Sequence, residues 1–360
     1  MMLERFFKMF PPPRFLDLPR VGLDISDEAV RFVELVPTTW GVSVGKWGEV
    51  ALPRGIVESG HINDPERLKR VLALIKDEYK FKYITASLPE EKVYLYKTTI
   101  PIVERHEIRN AIEFTLEENV PLHPDSTVFT YKVIKKDEEK GVMEVSVGVL
   151  PDKVVQMYFD VFQSVGLIPL DFHIEGIAIT NAVIGSDDMG TNMVVNFTER
   201  STGVYIASEG VVRFTSTLPL GGDALTTALQ KTLGISFEEA QRIKRQEEHE
   251  GNKKAGKELF GYSMNTLSAI KDELLKIITY WSTHDSVDKT IEKIIVCGED
   301  SAIIGLDKYL TLSLKIPAKQ ANVWGNAFSF DRYIPPIECT ESLNFSVPIG
   351  LALSSLKSHA

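Results

Sequence analysis

Hydrophobic and polar positions along the chain change period several times, and each change marks an element. Apolar alternation through "VGLDI", "AVRFVELV" and "GVSVGKWGEVAL" predicts three strands of a meander separated by turn residues. The period then lengthens. In "NDPERLKRVLALIKDEYK" the residues Leu68, Val71, Leu72, Ile75 and Tyr79 form one stripe at helical spacing, with Asp64 as cap and Pro65 in the first turn. "YITASLP" follows as a buried strand, so this region reads as an α/β unit on a mixed sheet.

From Glu91 to Glu175 the pattern differs. "EKVYLYKTTIP" is strand-like and "ERHEIRNAIEFTLEENVPL" helical; "STVFTYKVIKK" and "VMEVSVGVLP" form a hairpin around "DEEKG". "DKVVQMYFDVFQSVG" is a second helix, expected to be capped by Asp152 and ended at Gly166. A small α+β module inserted between two α/β segments accounts for the whole stretch. The second half then repeats the opening: "MVVNFTERSTGVYIASEGVVRFTSTLPLGG" is again strand, turn, strand, turn, strand. Helices "SFEEAQRIKRQ" and "SMNTLSAIKDELLKIITYWS" follow, separated by a charged tip, "EEHEGNKKAGKELFG". "IEKIIVCGEDSAIIGLDKYL" is a strand, a Gly turn and a helix. "NFSVPIGLALSSL" is a last apolar helix able to pack back on the first domain.

The first thirteen residues stand apart. Leu3, Phe6, Phe7 and Phe10 line one face of a short helix flanked by Arg5, Lys8 and Arg14 and stopped by Pro11, Pro12 and Pro13. This suits a foot on an anionic membrane surface or on a partner; a tail that packs on its own domain or stays disordered is the plainer alternative.

Composition narrows the class. The chain has 360 residues, 44% apolar and 25% charged, which suits a soluble globular protein of two or three units. A formal net charge of -10 argues against nucleic acid as a partner and favours a partner segment carrying Lys or Arg, through steering. No apolar run reaches the roughly 18 residues of a membrane span, and no secretory signal is evident, so the expected compartment is the cytoplasm. The two cysteines, Cys297 and Cys339, make no disulfide framework, and the seven histidines show no metal-ligand spacing, so no metal site is expected. No Walker loop, Gly-x-Ser-x-Gly or Rossmann spacing is present, and no catalytic residue is assigned.

The duplicated strand–turn–strand units, "LGG" after the second meander, an Ala-x-x-x-Lys helix and the late strand–Gly-turn–helix resemble the actin-like ATPase superfamily. Within it, "GLDIS…VRFVEL", "ALPRGIVESGHIND", "IRNAIEFTLEENVPL", "GGDALTTAL", "EEAQRIK" and "PIGLAL" run in the order of the PilM family of type IV pilus assembly proteins, relatives of the division protein FtsA. The resemblance covers nearly the whole chain from residue 18. It implies a bilobed actin-like (duplicated ribonuclease H-like) α/β fold with the small α+β insertion. The implied parts are a tail at 1–17, a first domain at 18–90 plus 345–360, and an insert at 91–175. A second domain at 176–222 plus 291–344 and a helical subdomain at 223–290 complete the chain.

It also implies an interlobe cleft for ATP and magnesium. On this chain the matching positions are Gly22, Asp24, Ser26, Asp27 and Glu28 in the first turn, and Asn196, Thr198 and Glu199 in the second. Gly221, Gly222, Gln241, Lys244, Gly298 and Glu299 match the adenosine side. The chain departs from the family at each place: Ser26, Asp27 and Glu28 stand where Gly and hydroxyls belong, Asn196 replaces Asp, Thr198 replaces Gly, and Gln241 replaces Glu. An acid about 7 Å from a phosphate charge costs about 2 kcal/mol at an effective dielectric of 20. Several such pairs would erase a micromolar affinity, worth about 8 kcal/mol. The cleft is therefore expected to be a remnant. The implied function is a scaffold at the cytoplasmic face of the inner membrane that binds the cytoplasmic peptide of a PilN-type membrane protein between the first domain and the insert. The alternative is a working ATPase of the FtsA type, and a homo-oligomer fits either. Ile112, Phe114, Leu116, Val120 and Leu122 cannot all enter one small core at 100° per residue, so some are expected to form an exposed partner patch.

Overall fold

The computed structural model describes residues 20–39, 41–250, 253–284 and 290–357. The amphipathic foot expected at Leu3, Phe6, Phe7 and Phe10 lies outside the described residues.

Strands β1 (Val21–Ile25), β2 (Ala29–Thr38) and β3 (Gly41–Ala51) form the expected antiparallel meander. A short hairpin, β4 (Val57–Glu58) and β5 (His61–Ile62), leads into α1 (Pro65–Tyr79). Asp64 caps α1 as its sequence indicates, its Oδ1 accepting the Arg67 N–H at 3.0 Å. Leu68, Leu72 and Ile75 are the buried stripe, and β6 (Tyr83–Leu88) returns parallel to β1.

The insert contains β7 (Tyr94–Pro101), α2 (Ile108–Asn119), β8 (Thr127–Asp137) and β9 (Val142–Pro151). Its three strands make a separate antiparallel sheet in the order β7-β9-β8. Ile108, Ile112 and Leu116 of α2 pack with Met143, Val145, Val147 and Val149 of the central strand.

The insert ends earlier than residue 175. Helix α3 (Asp152–Ser164) buries Tyr158, Val161 and Phe162 in the first lobe's core, and β10 (Ile168–Ile174) pairs parallel with β6 as the edge of the main sheet. Burial decides the matter. Tyr158, Val161 and Phe162 pack with Leu68, Leu72 and Ile75 of α1, each such burial worth roughly 1.5–3 kcal/mol. Asp152 is also not the cap of α3. Pro151 occupies that position, and the Asp152 carboxylate sits in the first turn, where it complements the helix dipole. Gly166 ends the helix at φ +73°, as expected.

After α4 (Glu175–Val183) the plan repeats. β11 (Thr191–Phe197), β12 (Thr202–Ser208) and β13 (Val211–Leu218) form a second antiparallel meander. Helices α5 (Gly222–Leu233), α6 (Phe237–Glu250) and α7 (Lys253–His284) come next. The charged stretch expected to be a tip is helical from Lys253 onward as part of α7. β14 (Lys293–Cys297) runs parallel to β11, then α8 (Leu306–Leu314) leads to β15 (Ala318–Gln320), parallel to β14. α9 (Ser346–Lys357) closes the chain.

The sheets read β3-β2-β1-β6-β10 and β13-β12-β11-β14-β15, each with two antiparallel pairings followed by two parallel ones. α4 and α9 lie between them. Ala178 and Ile179 of α4 pack with Val347 and Leu351 of α9, and both meet Val194 and Tyr205 of the second sheet. Contact is close enough to require glycine: a Cβ on Gly350 would stand 1.8 Å from the Ala178 carbonyl oxygen.

Candidate functional site

A cavity of about 880 Å³ opens between the lobes, lined by the β1–β2 turn, the ends of β4 and β6, the start of α4, the β11–β12 turn and β13. Of the sequence-predicted cleft residues, Asp24, Ser26, Asp27, Glu28 and Thr198 line it. Gly22 does not. A Cβ there would meet the Pro348 carbonyl oxygen at 2.1 Å, so this glycine admits α9 against β1 rather than a ligand. Asn196 sits at the end of β11 and donates from Nδ2 to Glu175 Oε1 at 3.3 Å.

Both turns engage several of their own amides. Ser26 Oγ accepts the Glu28 and Ala29 N–H groups at 3.3 and 3.2 Å, and the Ser26 N–H donates to the Ala29 carbonyl at 3.0 Å. In the second turn Thr198 Oγ1 accepts the Ser201 N–H at 3.2 Å, and the Thr198 N–H donates to the Ser201 carbonyl at 3.0 Å. Asp27 turns aside to accept the Ser59 and Gly60 N–H groups at 2.8 and 3.3 Å.

The lining is acidic. Asp24, Asp27, Glu28, Glu58, Glu90, Glu91 and Glu175 face it, against Lys92 and Arg200. Glu90, Glu91 and Glu175 carry no local signal in the sequence, because Glu90 and Glu91 follow β6 while Glu175 follows β10, and only the pairing of those two strand ends brings them together. Burial pushes Glu28 and Glu90 up to about 7. Glu175 rises well above the usual carboxylate range, first by burial and then through Asp24, Glu91, Glu90 and Glu28. Asp24 rises by burial, opposed by the Ser87 hydroxyl that donates to its Oδ1 at 2.5 Å and by Arg31.

The adenosine-side residues lie outside the cavity lining and are engaged with one another. Lys244 forms a buried ion pair with Asp300, and a Cβ on Gly222 would lie 1.8 Å from Asp300 Oδ2. Gly221 abuts the second turn: a Cβ would meet the Thr198 carbonyl oxygen at 2.5 Å. Gln241 Nε2 donates to Glu199 Oε1 at 2.9 Å. Glu299 holds Arg31 at 3.1 Å and Arg245 at 3.4 Å. Gly298, at φ +89°, makes the turn before it; a Cβ would lie 2.3 Å from the Phe197 carbonyl oxygen.

A second concavity, about 380 Å³, lies between the first lobe and the insert. Its walls include β8, β10, the α4 residues Ile177 and Thr180, and Val211 and Val212 of β13, and Leu95, Tyr131, Phe172 and Ile177 are among its large apolar groups. β8 and β10 are edge strands of their sheets. None of the five residues expected to form a partner patch lines this groove. Ile112, Leu116 and Val120 are buried in the insert's core, because the helix stripe and its C-cap both point inward, and Leu122 is half-buried beyond the helix end. Phe114 alone is exposed, at 86%.

Two sheets of one plan, helices crossing between them and a cleft at the meander turns define an actin-like protein. Solved structures with this fold include the PilM–PilN type IV pilus biogenesis complex, with a TM-score of 0.77, 19% identity, and coverage of 96% of this chain and 99% of that one. The ethanolamine utilization protein EutJ from Carboxydothermus hydrogenoformans follows at TM-score 0.59, 15% identity, and 96% and 90% coverage. MreB5 of Spiroplasma citri, solved bound to ADP, gives 0.54, 13%, and 95% and 97%. No curated protein sequence matches the chain. Residues 22–356 match the family described as type IV pilus assembly protein PilM, and the chain belongs to that family. No helix among the described residues is long and apolar enough to cross a membrane.

Proposed function

We propose that this chain is a scaffold of type IV pilus assembly that docks an extended peptide of a PilN-type membrane partner in the groove between its first lobe and its insert. The observation that carries this reading is the apolar groove walled by two edge strands, β8 and β10. An extended peptide would gain main-chain hydrogen bonds along such an edge and seat alternate side chains against Leu95, Phe172 and Ile177. Binding through such a partner would hold the chain at the cytoplasmic face of the inner membrane. A calorimetric titration with the cytoplasmic peptide of the cognate partner tests it. Phe172→Ala should weaken binding at least tenfold, the loss of about 1.4 kcal/mol from one apolar anchor, and Phe114→Ala should leave it unchanged. The reverse pattern would move the site to the α2 surface.

The same proposal holds that the interlobe cleft binds nucleotide weakly or not at all. The residues present do not suit a triphosphate. The Glu28, Ala29 and Ser201 amides of the two turns are taken by Ser26 and Thr198, seven carboxylates line the cavity, and the Lys244–Asp300 pair occupies the adenosine side. Titration with fluorescent ATP and magnesium should give no saturable binding. Ser26→Gly with Asp27→Ser and Glu28→Ser, which frees the amides and removes two charges, should strengthen it. Micromolar binding by the unmodified chain would refute this half of the proposal.

A further inference from the structure

The ion pairs around the cleft have a direction that sequence spacing does not reveal: three arginines make four of them from one lobe to the other. Arg31 of β2, itself buried and held by Glu49 at 2.6 Å, reaches Glu299 beyond β14 at 3.1 Å. Arg54, after β3, reaches Asp223 at the start of α5 at 3.0 Å and Glu199 at 3.6 Å, with its guanidinium 5.5 Å over the Phe237 ring. Arg200 of the β11–β12 turn reaches back to Asp27 of the β1–β2 turn at 3.5 Å. Each cation meets a carboxylate of the opposite lobe. Arg245 anchors Glu299 from behind at 3.4 Å, so this acceptor is fixed before Arg31 arrives.

We propose that these contacts form an electrostatic latch: the lobes are held together at the cleft by Arg31–Glu299, Arg54–Asp223 and Arg200–Asp27, and ionic strength sets how often the cleft opens. The inference deepens the reading of the cleft as a poor nucleotide site and rests on it, because side chains do here what a ligand bridging the turns would do. The opposite side of the lobe interface is apolar, with Ala178, Ile179, Val347 and Leu351 between the sheets. The two sides therefore respond oppositely to salt. Raising NaCl from about 0.1 M to 1 M shortens the screening length from about 10 to 3 Å; it weakens most the exposed Arg54–Asp223 bridge and less the more buried Arg31–Glu299 and Arg200–Asp27 bridges, while apolar packing is not weakened. Opening then hinges about α4 and α9 and separates the meander turns.

Spin labels report this directly. With Cys339→Ser as background, labels at His61→Cys in the first lobe and Glu238→Cys in the second give the lobe separation by double electron–electron resonance. The latched chain should show one narrow distance at low salt and a growing longer component at high salt. Glu299→Gln, Arg54→Ala and Arg200→Gln together should show that component already at low salt, with the long-distance population raised roughly tenfold by loss of charged hydrogen bonds. Added salt should then change it little. Arg54→Ala alone, at an exposed side chain, should shift the population in the same sense if the triple variant fails to fold. An unchanged distribution in both, or a salt response that persists undiminished in the triple variant, overturns the latch. Adding Mg-ATP separates the two readings. A narrowing of the unmodified chain's distribution by Mg-ATP would refute the poor nucleotide site, while the latch stands or falls on the variants measured without it.

Discussion

Replacing Glu90 by Gln tests the electrostatics of the cleft wall. Glu90 is 5% exposed, its Oε2 accepts the Gly176 N–H at 2.9 Å, and burial raises its carboxyl to about 7 from an ordinary 4.5. Below about pH 4.5 the group is protonated in folded and unfolded chains and has no effect. Between about 4.5 and 7 the unfolded chain loses the proton and the folded chain keeps it, so stability falls as pH rises. Above about 7 the whole penalty is present, about 3 kcal/mol at 1.36 kcal/mol per pH unit. Glu90→Gln keeps an acceptor for Gly176 and cannot ionise. It should leave the thermal midpoint unchanged at about pH 5 and raise it at about pH 8, by about 2–4 °C for each kcal/mol relieved. Thermal unfolding followed by near-ultraviolet circular dichroism at the two pH values measures both. A gain of equal size at both pH values would locate the effect in packing, and no gain at the higher pH would refute the buried charge.

Other substitutions probe the packing and the buried pair. Lys244→Met strands Asp300, which is fully buried and has Lys244 as its ion-pair partner, and should cost about 3–5 kcal/mol in urea unfolding; adding Asp300→Leu should recover most of it, and failure to recover would mean that the pair is worth more than the charge it neutralises. Gly350→Ala should prevent stable folding or lower the midpoint sharply, because its Cβ would overlap the Ala178 carbonyl at 1.8 Å; a midpoint equal to the parent's would refute the close helix crossing. Iodoacetamide should modify exposed Cys339 and spare Cys297, whose thiol burial pushes up to about 12; mass spectrometry showing equal labelling of both would refute the burial of Cys297.

Much of the architecture was legible because its signals are local. The stripe from Leu68 to Ile75 and the Asp64 cap define α1 within a few turns of chain, and both meanders carry their alternation and turn residues in sequence. The assignment of 152–174 was not legible. A helix face and a short strand state that they need apolar cover, but not whose, and β10 finds β6 across an inserted sheet. The cleft divided the same way. Asp24, Ser26 and Glu28 came from one turn; Glu90, Glu91 and Glu175 emerge only when two strand ends meet, and nothing in the order of residues announces that Ser26 hydrogen-bonds its own turn. The residues of α2 divide by face: Val120 follows the helix and bends back into the core with Ile112 and Leu116, and Phe114 is left exposed, a split that the count of apolar residues does not specify.

The helix that fits against Gly22 is the last of the described elements. During synthesis β1 emerges first, with Val21 and Leu23 destined for burial, yet α9, whose backbone touches Gly22 at Pro348, is not made until more than three hundred residues later. At 5–20 residues per second that interval is tens of seconds. For all of it the first lobe exists as a nascent chain with an uncovered strand and an open apolar face, exposed to aggregation and to chaperones. Completion of the first lobe thus waits until α9 has been made, and ribosome-bound chains halted before α9 should engage chaperones where chains that include it do not.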